Sequence, residues 1–333
     1  MVPKMKLESK AFLLRVLVSS CLLFPINLMK NGVRIVIGRT PISNAQNGFL
    51  LRYWRLYLRG VFGFQKIDRI TSIASTAEGA GSQALRMMHA INVSRAYGLI
   101  YIHTPFSEIA HADRPMREWI DAWESHFNLG RGEIVADCPV PDIVNYDYIW
   151  SFDLNRLLGL DAPPVRLSEV TISEIRQKYY SDKHPRNNEV VTICVHIRRG
   201  DVTSDTCPEI WVPTESIART LSVVRSILCK HYINYKVRVF SQNNLDDIEQ
   251  LNVPNAEVFL NVDAIWTMQE LIEGDILIMS ASCFSYVAAV ISDGIKISQH
   301  FADPLESWIV CDTNGEFDRV SFERKLLIYI TSM

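Results

Sequence analysis

Short β-branched, apolar runs alternate with amphipathic stretches along most of this chain. Val190 to Ile197, Tyr235 to Ser241, Glu257 to Asn261 and Asp275 to Ser280 have the length and composition of buried strands. Between them, Thr214 to His231, Leu245 to Leu251 and Ala264 to Glu273 carry apolar residues at helical spacing. A last helix, Phe284 to Ile291, leads into Gly294-Ile295-Lys296-Ile297. This alternation predicts a parallel, Rossmann-like sheet with right-handed crossovers. A smaller unit precedes it. Strand Ile70 to Ser75, a small-residue loop over Thr76 to Ser82, helix Gln83 to Tyr97 and strand Leu99 to His103 form a βαβ motif whose helix opens at a glycine-rich turn. Pro115 to Phe127 reads as another helix, with Trp119 and Trp123 on one core-facing side. Proline-rich Cys138 to Pro141 and Asp161-Ala162-Pro163-Pro164 are breaks, and polar Ser181 to Glu189 is the expected linker. The pattern divides the chain into an N-terminal region 1–65, an α/β domain 66–185 and a second α/β domain 186–333.

Composition narrows the function classes. With 333 residues, 48% of them hydrophobic, the chain can bury two ordinary cores. A net charge of -3 leaves no basic footprint for a nucleic-acid backbone, so DNA and RNA are not expected partners. The seven cysteines are widely spaced and include no C-x-x-C pair, which indicates neither a zinc site nor a dense disulfide framework. Cys194 and Cys283 sit in apolar runs as small core hydrophobes, a usage that favours a reducing compartment while leaving room for one or two lumenal disulfides.

Residues Ala11 to Met29 form an apolar stretch interrupted by Arg15 and Pro25 and flanked by lysines and arginines. An arginine at the middle of a spanning helix costs on the order of 2.5 kcal/mol or more, but Arg15 is near enough to the start to snorkel. A signal anchor, an interfacial helix and a soluble helix all stay open. Cytoplasmic, membrane-associated and Golgi type II placements stay open with them. The sequon at Asn92 falls within an expected helix, a poor place for a glycan.

Three stretches carry candidate chemistry. The first is Glu78-Gly79-Ala80-Gly81-Ser82-Gln83, where small residues let a ligand approach the backbone and helix N–H groups favour an anion. The second closes the strongest strand: His196-Ile197-Arg198-Arg199-Gly200-Asp201 delivers two guanidinium groups to a strand's carboxyl end, where α/β sheets bind ligands and where arginines match a diphosphate. The same cluster is also what a solvated strand end looks like. The third is Met279-Ser280-Ala281-Ser282-Cys283-Phe284-Ser285, a strand end whose hydroxyls suit helix capping and phosphate oxygens equally.

His196-Ile197-Arg198-Arg199-Gly200-Asp201-Val202 resembles the H-x-R-R-G-D signature of the fucosyltransferase superfamily, the α1,2-, α1,6- and protein O-fucosyltransferases. The order of the G-x-G-x-Q turn, the arginine motif, Val237 to Ser241 and the S-x-S-x-F-S stretch is similar as well. The resemblance implies a GT-B-like fold, two Rossmann-like domains with parallel sheets facing a cleft. It implies a metal-independent, inverting glycosyltransferase using GDP-fucose as donor and a glycan or glycoconjugate as acceptor, with no cofactor. Carried over residue by residue, Arg198 binds the β-phosphate and is the essential position, Arg199 orients or supports it, and His196 contacts the nucleoside. Ser282 and Ser285 hold phosphate oxygens, and Gly79, Gly81 and Gln83 belong to the first motif. Asp201 is assigned to the catalytic set with the two arginines, either as a base or as a brace for them; Asp205 is a second candidate base.

The chain departs from that pattern in two places. Ser82 stands where the family commonly has asparagine, and the acidic residue that reads guanine in the α1,6 type aligns near Thr267, with Asp263 and Gln269 close by. A transferase for another nucleotide sugar and a non-catalytic nucleotide-sugar-binding protein therefore stand as alternatives. Asp246-Asp247 suits a helix start better than a metal. His103, His111 and His126 have no ligand spacing and read as core or surface residues.

Overall fold

The computed structural model describes residues 69–73, 78–136, 144–145, 166–184, 186, 189–242, 251, 253–299, 301 and 304–332. The apolar segment 11–29, the breaks at 138–141 and 161–164, Asp246-Asp247 and all but the last residue of the helix expected at 245–251 lie outside them. The described residues fall in one compact unit, Gln65–Met333. In chain order it comprises β1 (Arg69–Thr71), α1 (Ala80–Tyr97), β2 (Ile100–His103), α2 (Met116–Phe127), β3 (Ile134–Val135), β4 (Val144–Asn145), α3 (Glu169–Tyr179), β5 (Val191–Ile197), α4 (Thr214–Lys230), β6 (Tyr235–Ser241), β7 (Glu257–Leu260), α5 (Ala264–Ile272), β8 (Ile276–Ile278), α6 (Cys283–Ile291), β9 (Ile295–Ser298), β10 (Ile309–Val310) and α7 (Arg319–Ser332).

The strands build two sheets, one ordered β3-β2-β1-β4 and the other β10-β9-β8-β5-β6-β7. Every strand pair is parallel. This is the α/β architecture expected from the alternation. β5 is central and buried throughout, apart from half-buried His196, which explains its continuous apolar run. One face of the second sheet packs on α4 and α7 through Ile193, Val195, Ile217, Leu221, Phe322 and Leu326. Its other face joins α5, α6, α1 and the first sheet in a single apolar cluster that includes Ile70, Ala84, Met88, Trp123, Leu271, Leu277 and Ala288.

That shared cluster closes around a helix crossing. α1 begins at Ala80, three residues earlier than the sequence suggested, because Gly79 supplies an extended N-cap. Gly81 then lies in the first turn, where a Cβ would stand 2.9 Å from the Phe284 Cα and 3.0 Å from its nitrogen. Only glycine lets the first turns of α1 and α6 meet so closely. Arg176 of α3 donates to the carbonyls of Val290 (3.0 Å) and Ser292 (2.6 Å), satisfying the end of α6.

The 166–182 region, to which the sequence pattern assigned no element, contains α3. Ser168 caps it by accepting from the Thr171 N–H at 3.2 Å. Asn92 is buried and spends its amide on this join: its nitrogen donates to the Arg166 carbonyl at 3.1 Å, and its oxygen accepts from Ser168 N–H at 3.0 Å. A glycan at Asn92 is incompatible with this packing, as its helical setting suggested. α7 and the two-residue strands β3, β4 and β10 also lack a counterpart in the sequence reading. Two-residue strands are too short to show periodicity.

Two predictions follow from this packing. Gly81→Ala should lower the unfolding free energy by about 1–3 kcal/mol through overpacking, and a denaturation midpoint equal to that of the unaltered protein would refute the close crossing. Burial holds three imidazoles neutral: His89 is lowered from 6.5 to about 4, and His126 and His196 to about 3, with Arg198 adding to the effect at His196. A depressed folded value means that the unfolded chain takes up the proton first. Stability is therefore full above the ordinary value of 6.5 and is lost as pH falls toward 3–4. Each group costs up to about 1.4 kcal/mol per pH unit in that window. The melting temperature should fall between pH 7 and pH 5, less steeply in His126→Gln, and equal slopes would contradict the assignment.

Candidate functional site

In its own chain order the second sheet runs third-second-first-fourth-fifth-sixth, so its winding reverses between β5 and β8. An open α/β sheet forms its ligand crevice beyond the carboxyl ends of the strands at such a reversal. The segments leaving β5 and β8 there are Arg198-Arg199-Gly200-Asp201 and Met279-Ser280-Ala281-Ser282. Two of the three motifs singled out from sequence thus meet because of strand order.

Arg198 is fixed from both strands. Its backbone N–H donates to Ser280 Oγ at 3.0 Å, and its Nη1 donates to Ser282 Oγ at 3.2 Å. Its Nη2 donates to Asp201 Oδ2 at 2.7 Å. Gly200 has φ +85°, and this left-handed turn brings Asp201 back to Arg198; a Cβ at Gly200 would meet Gln242 Oε1 at 2.7 Å. The side chain is 30% exposed, yet its Nε is buried and has no partner among the described residues. A buried, unsatisfied guanidinium N–H beside an open cleft is a position for an anion.

Arg199 points elsewhere. It is buried, donates to the carbonyls of Arg198 (2.8 Å) and Val212 (3.1 Å) and to Thr214 Oγ1 (2.8 Å), and stacks on Trp211 at 3.7 Å. The two guanidinium groups are therefore not a matched pair facing one diphosphate. One faces the cleft and the other ties the loop that carries it to the start of α4.

The serines divide similarly. Ser282 caps α6 by accepting from the Phe284 N–H at 3.1 Å while accepting from Arg198. Ser285 is fully buried and donates to the Ser280 carbonyl at 3.0 Å, so it braces the turn. Ser280, which the sequence reading left as one serine among three, is a direct holder of Arg198; its place at the end of β8 was the available signal.

The first motif joins this wall through α1. Gly79 N-caps the helix without a side-chain cap, and Gly81 sets α1 against α6, so two helix N-termini open on the cleft and favour negative charge. Gln83 is buried, and its amide is spent internally: the nitrogen donates to the carbonyls of Glu78 and Glu108 (both 3.1 Å), and the oxygen accepts from Ser107 N–H at 3.2 Å. It braces the loop after β2 against α1.

His196 lines the cleft with its ring 5.5 Å from Phe284. Burial, reinforced by Arg198, keeps the imidazole neutral, and its Nδ1 has no partner among the described residues. Beyond β6 and β7, Ser241, Gln242, Asn261 and Thr267 line the same cleft beside Phe240 and Phe259, which stack at 5.2 Å. Thr267 donates to the Asp263 carbonyl at 2.9 Å. Asp263 caps α5 through Trp266 N–H at 2.7 Å and pairs with Arg114 from the loop before α2. Gln269 is turned to Glu273 at 2.9 Å. Asp205 lies in an exposed turn closed by Thr203 and Thr206, outside the cleft lining.

Among the described residues no group of three or more His, Cys, Asp or Glu side chains could hold a metal ion, and no helix is long and apolar enough to cross a membrane. The cleft can hold a phosphorylated ligand with its charge between Arg198 and two helix N-termini and its remainder along β6, β7 and α5.

No protein-family model and no curated protein matches this sequence. Solved structures similar to the chain include POFUT1 in complex with GDP-fucose (12% identity, TM-score 0.40, 69% of this chain and 95% of that one). They also include the fucosyltransferase NodZ from Bradyrhizobium (13%, TM-score 0.32, 72% and 98%) and the E. coli heptosyltransferase WaaC with ADP (10%, TM-score 0.39, 79% and 99%). All three lie below a TM-score of 0.5, and the ligands named with them are theirs.

Proposed function

We propose that this chain is a metal-independent, inverting glycosyltransferase that moves a sugar from a nucleoside diphosphate sugar to a glycan hydroxyl, with GDP-fucose as the first donor to test. The observation that carries this reading is Arg198 at the strand-order reversal, its guanidinium fixed by Ser282 and Asp201 with its Nε left unsatisfied beside the cleft. The H-x-R-R-G-D resemblance supports the same ligand.

The chemistry follows from charge. Departure of a nucleoside diphosphate builds negative charge on its β-phosphate, and fixed cations and N–H dipoles lower the barrier when they are in place beforehand. Ser280, Ser282 and Asp201 hold Arg198 before any ligand arrives, and Arg199 holds the loop beneath it. The N-termini of α1 and α6 add partial positive charge without a metal. His196, kept neutral, adds no competing charge beside the nucleoside. The base site favours a second reading of the donor. Thr267 occupies the place of the expected acid, and Asp263 is engaged by Arg114, so a nucleotide other than guanine belongs in the same test.

Calorimetric titration with GDP should show binding that Arg198→Ala abolishes, and GDP-fucose turnover should fall about 10²–10³-fold in that variant, as when a charge-stabilising donor is removed. Retained binding and turnover in Arg198→Ala would sink the site assignment. Arg199→Ala should behave differently, lowering stability by about 1–3 kcal/mol by leaving buried carbonyls unpaired; a variant as stable as the parent would show that Arg199 is no brace. Turnover should be unaffected by a chelator, and loss of activity restored by a divalent ion would contradict the metal-free mechanism. Parallel titrations with ADP and UDP read the base preference.

A further inference from the structure

Displacement at a sugar carbon needs a second group, one that takes the proton of the attacking hydroxyl from the side opposite the leaving phosphate. Among the described residues, the titratable ones lining the cleft are His111, His196, Arg198, Arg199, Asp201 and Cys283. Four of them sit on β5 or the loop leaving it and Cys283 opens α6, so these five share the wall that holds the phosphate site. His196 is half-buried beside Arg198, and desolvation suppresses its basicity to about 3. Asp201 is committed to Arg198 at 2.7 Å, and protonating it would release the clamp.

His111 lines the cleft from the first-sheet side. It is exposed, it belongs to the loop between β2 and α2, and no hydrogen bond or ion pair occupies its ring among the described residues. Its backbone is nevertheless held on both sides. Ala110 N–H donates to the Glu78 carbonyl at 3.0 Å, Ile109 N–H contacts Met116 Sδ at 3.4 Å, and Arg114 is anchored by Asp113 and Asp263 and lies 4.7 Å above Trp119. His111 itself adopts φ +58°, a conformation that histidine, asparagine and aspartate tolerate better than most residues. The same wall carries Trp119 and Trp123, whose buried indole N–H groups have no partner among the described residues. That face therefore offers apolar ring surface and one imidazole with no partner among the described residues.

We infer that His111 is the general base for the acceptor hydroxyl; this rests on the donor-site reading above. The acceptor oxygen forms a bond to the anomeric carbon as the bond from that carbon to the β-phosphate oxygen breaks, its electron pair leaving on the diphosphate held by Arg198. The hydroxyl proton passes to a ring nitrogen of His111, and the imidazolium returns it to solvent.

The test uses GDP-fucose with water as acceptor, measuring GDP release and GDP affinity in the unaltered protein, His111→Asn and His111→Gln. Asparagine preserves tolerance of the left-handed backbone, so the fold is kept. Release should fall about 10²–10⁴-fold in both variants, with GDP affinity within about twofold of the parent, and added imidazole should restore part of the rate. Variants that bind GDP and release it at the parental rate overturn the role of His111 and leave the donor site standing, as does an unaltered protein that binds GDP and never releases it from GDP-fucose. An unaltered protein that does not bind GDP overturns the donor site and His111 together.

Discussion

The site depends on a tie across the point where the second sheet reverses. Arg198 leaves β5, and the serines that hold it leave β8; the strands are adjacent only because the chain returns to the centre of the sheet after building β6 and β7. One guanidinium is thereby held by Ser282 and a carboxylate, and its backbone by Ser280, with one N–H that has no partner among the described residues. Holding a cation in place before the ligand arrives removes the reorganisation that water would otherwise require. The ion pair with Asp201 is half-exposed and adds little stability, so its contribution is orientation.

A second constraint brings the first sheet to the same place. The α1–α6 crossing at Gly81 joins the two halves through one apolar cluster and points both helix N-termini at the cleft. Packing and electrostatics coincide there: the residue that allows close approach also stands in the first turn, whose N–H groups favour an anion. Gln83 and Asn92 show the cost of burying amides in that helix, since each is satisfied by backbone or hydroxyl groups of neighbouring segments. The wall bearing His111 is set by these braces and by the Arg114–Asp263 pair.

The large elements were legible in the sequence because they obey one period each. β6 was read to the residue, β5 and α4 to within one, the second parallel sheet followed from the alternation, and the first was read only as one βαβ unit. The arginine motif was legible because a buried strand seldom ends in four polar residues. Less visible was what tertiary contact decides. Arg198 and Arg199 are chemically identical neighbours, and only Trp211, Val212 and Thr214 show that the second belongs to the scaffold. Ser280 and Ser285 cannot be ranked by spacing alone. Ser285 turns inward to a carbonyl, whereas Ser280 faces the neighbouring strand. α3 was not assigned despite its Ser168 cap, because its apolar face is narrow and only the burial of Ile172 and Ile175 reveals it.

The most direct measurement is a crystal structure of the protein soaked with GDP. The account predicts a β-phosphate oxygen within hydrogen-bond distance of Arg198 Nε, between the first turns of α1 and α6, with Arg199 still on Trp211 and the base along β6 and β7. A diphosphate bound away from Arg198, or one held by Arg199 after leaving its stack, would contradict it.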